Sequence, residues 1–453
     1  MLTADPIQTE IGLQKMLAVY VATGLVFLLL PGTFLGVWNL VSISSQHSLT
    51  HLSPAWLQAH GHAQIFGWLG TFIIGIGFYS LSKMGGLMPF AVSRAWTSWA
   101  LWTAGVALRW IADVTERDWR FLLPLSATLQ LAAFAIFFWI VSRHKPSASS
   151  AKRKPMETWM KLVIASTLAL LVALVLNQLE TIVLALTAAH PEIPHWLDQR
   201  YLFLAGWGFP VLAVWGFNAR WLPVFAGLNE PHGRNLMIAM GTLLPGIALA
   251  ATGLYGTATL LLFCASALAA DALNVFRRSA KPAKTRGVSP LFPFFTRAAY
   301  VWLLIAAALG VYAARADFNG GIWGASRHAL TVGFLATMVF AIGQRVLPAF
   351  CGMRLLFSTR LMGLSLIALN AGCALRVASE IPGYEANLRF AWTLLPVSAV
   401  TELIAVTLFS LNLAITLLLP PPVAAIRRPA SSSVSYFGID SVDKPVQRIA
   451  SSK

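Results

Sequence analysis

Apolar runs of about twenty residues follow one another along nearly the whole chain, and that pattern leaves few folds open. Inside a bilayer a backbone has to satisfy its own hydrogen bonds, so segments of this length cross as helices. Twelve such runs are present, at roughly 16–40, 57–81, 93–112, 120–142, 160–187, 201–225, 235–253, 255–276, 293–314, 327–349, 358–379 and 390–419. With 57% hydrophobic and 11% charged residues and a mean hydropathy of +0.69, the chain is too apolar for a soluble globular domain. The first run is too long for a secretory signal and no small-residue cleavage site follows it, so it is expected to remain as an anchor. The expected fold is all-α, a polytopic membrane protein with one transmembrane domain over residues 1–425.

The formal charge of +16 suggests nucleic-acid binding until its distribution is read. With the N-terminus placed in the cytoplasm, only eight of the 33 Lys and Arg residues fall in outer segments: Arg109, Arg117, Arg120, Arg200, Arg315, Arg327, Arg376 and Arg389. The remainder lie inside, in Arg143 to Lys161, Arg277 to Arg297 and the tail from Arg427 among other places. This is the positive-inside asymmetry of a multi-pass protein with both termini cytoplasmic, and in a bacterium it implies the inner membrane. The bilayer is thus the expected partner and nucleic acid is not. Three cysteines, Cys264, Cys351 and Cys373, have no paired spacing and read as small apolar filler.

The runs are copies of one another. His62-Ala-Gln-Ile-Phe-Gly67 aligns with His328-Ala-Leu-Thr-Val-Gly333, Thr103 to Arg109 with Asn370 to Arg376, and Leu122 to Ala127 with Leu394 to Ala399. These offsets of 266, 267 and 272 displace the second, third and fourth runs by eight helices, which implies three units of four. A middle copy is present: Gly206-Trp207-Gly208 falls where Gly67 and Gly333 demand glycine, and Arg220 to Gly227 matches Arg345 to Gly352. At the histidine position it carries Phe203. The units are expected at 16–142, 158–276 and 293–419. Loops 143–156 and 277–290, rich in Pro, Ser and Lys, read as flexible, and residues 426–453 as a disordered cytoplasmic tail.

Of nine histidines, seven lie on the expected outer side: His47, His51, His60, His62, His190, His195 and His328. Ionisable groups at membrane depth are costly and mark functional sites. An eight-helix displacement makes the second and tenth runs parallel, so His62 and His328 stand at equal depth, the arrangement of a bis-histidine haem b site. The plainer alternative is that each bonds a neighbouring helix. His60 is two residues, about 200°, from His62, so both cannot face one iron; it reads as interfacial, as a loop residue, or as ligand to another metal. His47, His51, His190 and His195 read either as solvated loop residues or as a copper or zinc site. The matched Arg109 and Arg376 suit haem propionates or snorkel to the interface, with Trp102, Trp110 and Trp119 as an aromatic belt. Asn177, Gln178, Glu180 and Glu402 are further intramembrane polar groups. No catalytic residue can be assigned.

Ala59 to Leu81 (AHGHAQIFGWLGTFIIGIGFYSL) and Arg327 to Pro348 (RHALTVGFLATMVFAIGQRVLP) resemble the NnrS family of haem- and copper-containing membrane proteins linked to the nitric oxide response. More distantly they are similar to subunit I of haem-copper oxidases, which has twelve helices in three arcs of four. That resemblance implies low-spin haem on His62 and His328, with copper as a second cofactor and an electron donor or small gas as further partners. The oxidase pattern also needs histidines on the sixth and seventh helices and a second on the tenth. Here the sixth offers Phe203, Trp207, Trp215 and Asn218, and the seventh has none. Where the NnrS pattern has a Gly-His-Thr-Gly-Arg-like turn, this chain has Leu347 to Gly352. The expectation is a haem protein in nitric oxide response or electron transfer, without a complete oxidase centre. A divergent oxidase or nitric oxide reductase is the first alternative. A secondary transporter is the second, though six-plus-six repeats suit it better than this displacement.

Overall fold

The computed structural model describes residues 6–48, 52–83, 92–143 and 156–419. Twelve long helices fill them: α1 (Gln8–Gln46), α2 (Pro54–Ser80), α3 (Val92–Thr115), α4 (Trp119–Arg143), α5 (Thr158–Thr187), α6 (His195–Phe225), α7 (Gly233–Ala251), α8 (Tyr255–Ala272), α9 (Phe292–Ala316), α10 (Gly321–Phe350), α11 (Thr359–Tyr384) and α12 (Arg389–Leu418). Eleven are long and apolar enough to cross a membrane; α3 falls outside that set and carries Arg94, Arg109 and Asp113. Among the described residues there is no strand. The protein is a multi-pass membrane protein, and each of the twelve expected runs is a helix.

Three four-helix units are visible in the packing. α3 packs along α4, α7 along α8 and α11 along α12, the same antiparallel pair in each unit. The first helical turns of α2, α6 and α10 lead into the centre, and these three are the most deeply buried of the apolar spans. Each changes from α to π winding at the matched place: Ala63–Gly70, Leu204–Val211 and Ala329–Ala336. The π segments open directly after His62, Phe203 and His328, so the three repeat-matched positions share one structural setting. π-Turns are rare and concentrate at functional sites because they displace one residue from the regular ladder. A fourth π segment, Leu28–Phe34, lies within α1 and contains Pro31.

Glycine lets the units close. A methyl group added at Gly67 would sit 3.0 Å from Val106 Cγ1, and one at Gly208 3.5 Å from Ile247 Cδ1, so the same position meets the same neighbouring helix in two units. The matched ends of α6 and α10 turn on Gly227 and Gly352, at φ of 67° and 110°, values that only glycine adopts readily.

Loop 277–290 is not the flexible linker its composition suggests. Ala280 and Lys281 donate to the Gly227 carbonyl, Lys284 donates to Phe225, and Ser289 N donates to Gln344 Oε1 at 2.7 Å. Arg345 donates to the Lys284 carbonyl. Backbone pairing onto the ends of α6 and α10 outweighs the Pro/Lys content. Most of loop 143–156, His51 and the tail from 420 lie outside the described residues.

Candidate functional site

A cavity of about 630 Å³ lies among the first turns of α2, α6 and α10 and the last turns of α3 and α11, within the range of ligand pockets, roughly 300–1,000 Å³. His62, His328, Arg109 and Arg376 all line it, so the four expected site residues are brought to one chamber. His60 lines it as well. That corrects its reading as an interfacial or loop residue: the cavity reaches both sides of α2, and residues 200° apart can both meet it. His60 Nδ1 donates to the Gly32 carbonyl, in the π segment of α1, at 2.9 Å.

The two matched histidines have different partners. His62 is buried, stacks on Phe66 with ring centroids 4.6 Å apart, and donates from Nε2 to Gln130 Oε1 at 3.1 Å. His328 donates from Nδ1 to the Gly324 carbonyl at 3.0 Å, with Glu380 Oε2 at 3.3 Å from the same nitrogen. A neutral ring protonated at Nδ1 keeps its lone pair on Nε2.

Both arginines are buried and paired with an acid one turn on, which removes the snorkelling alternative. Arg109 Nε is 2.6 Å from Asp113 Oδ2 and its Nη1 donates to Asn177 Oδ1 at 3.3 Å; Arg376 Nη2 is 3.0 Å from Glu380 Oε1. Desolvated charges are tolerable in hydrocarbon only when paired in this way. Arg376 Nε and Nη1 and Glu402 Oε1 nevertheless have no hydrogen-bond partner among the described residues, and Glu380 Oε2 has only its 3.3 Å approach to His328. Buried donors left over on a guanidinium beside a cavity suit an anionic ligand group. Trp102 is not part of an interfacial belt: it is fully buried and donates to Phe66 O and Thr71 Oγ1.

Sequence reasoning missed the second half of the duplication. Asp113 and Glu380 are separated by the same 267 residues as their arginines, and Gln130 and Glu402 by the 272 of their own segment. A methyl group at Gly105 would lie 2.7 Å from Gln130 Cγ and 2.8 Å from Ser126 O; one at Gly372 would lie 2.6 Å from Glu402 Cγ and 3.2 Å from Ser398 O. The two corners are built alike. In the middle unit a methyl group at Gly246 would meet Ala258 O and Leu262 at 3.2 Å, which aligns Leu262 with Gln130 and Glu402, and Ala250 with the arginines. Phe203, at the histidine position, stacks on Tyr255.

Among the described residues no group of three or more His, Cys, Asp and Glu side chains is placed to hold a metal ion. His47 is exposed and stacks on Trp392, His190 is exposed, and His195 opens α6 at the cavity rim. The cysteines are unpaired; Cys373 stands where the first unit has Val106.

A twelve-helix membrane bundle of three units, enclosing a largely apolar chamber that all three line and that carries the two histidines and two arginines, defines the class. A cryo-EM structure of a heme-copper terminal oxidase dimer is similar to it, with a TM-score of 0.63 over 90% of this chain and 85% of that one at 14% identity. The haem-copper oxidase fold is thereby shown. The chain itself belongs to the family described as Domain of unknown function (DUF8744), whose model matches residues 151–412. No curated protein matches it.

Proposed function

We propose that this protein is a haem b-binding integral membrane protein, with His62 and His328 as axial ligands and Arg109 and Arg376 facing the propionates. One observation carries the reading. A polar set of histidine, arginine, acid and amide or acid occurs twice in matched positions, its histidines and arginines lining the chamber, and the intervening unit replaces three of its members with Phe203, Ala250 and Leu262. Helix packing alone gives no reason to keep a desolvated set in two units out of three.

The residues present fit the group. The chamber is of ligand size, His328 Nε2 is left with its lone pair, and Arg376 has two orphaned buried donors. At His62, iron would take the place of the Gln130 amide as the partner of Nε2. Haem in such a site supplies a one-electron couple or a point of attachment for a small gas. The chain's part is to hold it, neutralise its carboxylates and exclude water. A copper centre remains a lesser proposal, resting on the resemblance to NnrS proteins. We read the role as membrane electron transfer or nitric oxide response, in the inner membrane with both termini cytoplasmic.

The test is spectroscopic. Protein made in haem-supplied cells is expected to show reduced b-type bands and one iron per chain. His62→Ala and His328→Ala should each abolish the six-coordinate spectrum, while His60→Ala keeps it. A folded wild-type preparation without haem bands sinks the proposal, and loss of the spectrum in His60→Ala reassigns the ligand.

A further inference from the structure

We propose that Glu380 is a positioning residue that makes the two matched histidines unequal, giving His328 an anionic partner that His62 lacks. The inference rests on the haem reading above for its function, and on the described contacts for its geometry.

The Glu380 carboxylate is buried and reaches two groups at once. Its Oε1 meets Arg376 at 3.0 Å and its Oε2 stands 3.3 Å from His328 Nδ1. Apart from that approach Oε2 has no partner. A carboxylate against the distal nitrogen of a ligating imidazole fixes the ring's tautomer and orientation and makes Nε2 a stronger donor.

Two differences from the first unit make this contact available. Asp113, the counterpart of Glu380, is one methylene shorter; its Oδ2 is held by Arg109 at 2.6 Å, and the partner of His62 is the uncharged Gln130 instead. Gly324 is the counterpart of Gln58. A methyl group at Gly324 would collide with the Glu380 carboxylate, so a side chain there bars the approach. Gln58 in the first unit points elsewhere, exchanging hydrogen bonds with the Ile193 backbone at 2.8 and 2.9 Å. A longer acid and an absent side chain coincide at one histidine and at neither place around the other.

The experiment compares Glu380→Gln and Glu380→Asp in the purified, haem-loaded full chain, read by redox titration and by haem affinity. Glu380→Asp keeps the charge and the Arg376 pair, as Asp113 does with Arg109, but withdraws the carboxylate from His328. Both variants are expected to move the midpoint potential positive and to weaken haem binding by about 10–100-fold, the usual cost of removing a ligand's outer partner. A wild-type potential in Glu380→Asp overturns the proposal, because bulk charge rather than contact would then be responsible; so does a wild-type potential in Glu380→Gln. If the wild type takes up no haem, the haem reading falls by itself. The positioning is then read from the ¹⁵N shifts of His328 in the haem-free protein: a change in both Glu380 variants upholds it, and identical shifts overturn it.

Discussion

The first and third units build the same corner with different chemistry, and the middle unit builds it from hydrocarbon. In the first, His62 meets a neutral amide while Asp113 serves Arg109. In the third, His328 sits beside Glu380, and Glu402 lines the same chamber. In the middle, Phe203 packs on Tyr255, Ala250 stands where the arginines stand, and α7 ends at Ala251, a turn before an acid could be placed. The same glycine-on-helix contact holds all three together. All three units keep a glycine at this contact, whereas the charges are dispensable to the fold, since one unit does without them.

The comparison is broken most violently by separating a charge from its partner. Arg109→Ala leaves Asp113 buried without its cation, and Arg376→Ala does the same to Glu380. Each should lower stability by about 3–5 kcal/mol, because an uncompensated buried charge remains. Converting the first unit further toward the middle one, with Arg109→Ala and Asp113→Leu together, should recover most of that loss. Thermal unfolding in one detergent, with the same haem content in every sample, makes the measurement. If the double variant is as unstable as the single one, the pair is structural and the middle unit is a poor guide.

A smaller effect sharpens the part the units share. Gly105→Ala and Gly372→Ala gain helix propensity of about 1 kcal/mol, yet their methyl groups would press on neighbouring side chains at 2.7 and 2.6 Å and on backbone carbonyls at 2.8 and 3.2 Å. A net loss of about 1–3 kcal/mol is expected from overpacking. Gly246→Ala, with its closest contacts at 3.2 Å, should be nearly neutral. Equal melting temperatures for all three would mean that the polar corners are no tighter than the apolar one.

The helices were legible because the bilayer imposes length and apolarity on each, and the units because His62 and His328, or Arg109 and Arg376, are conspicuous in such surroundings. The partners were harder to see. Asp113 and Glu380 differ in length, and Gln130 and Glu402 differ in charge, so residue identity hides what the offsets of 267 and 272 preserve. The π segments have no residue signature; they show only once backbone winding is known. His60 was misplaced because a helical wheel assigns faces, and a cavity that bends around a helix does not respect them. Loop 277–290 was misjudged because composition reports chain entropy and says nothing of carbonyls waiting at Phe225 and Gly227.

The finest distinction concerns Gln130. Gln130→Leu copies the middle unit's Leu262 and removes the hydrogen bond from His62 Nε2, along with a long one to Ser126 O at 3.4 Å within its own helix. A typical net bond contributes about 0.5–1.5 kcal/mol, so the haem-free protein should melt slightly earlier. Haem affinity should move in the opposite direction, because the amide competes with iron for that nitrogen. The gain is bounded by the same bond: about 1.4 kcal/mol corresponds to tenfold, so the dissociation constant should fall by up to about tenfold. Opposite signs in the two measurements come from a residue that holds a ligand's place. A purely structural amide lowers both together, and that outcome would leave His62 as a packed core histidine with no iron to bind.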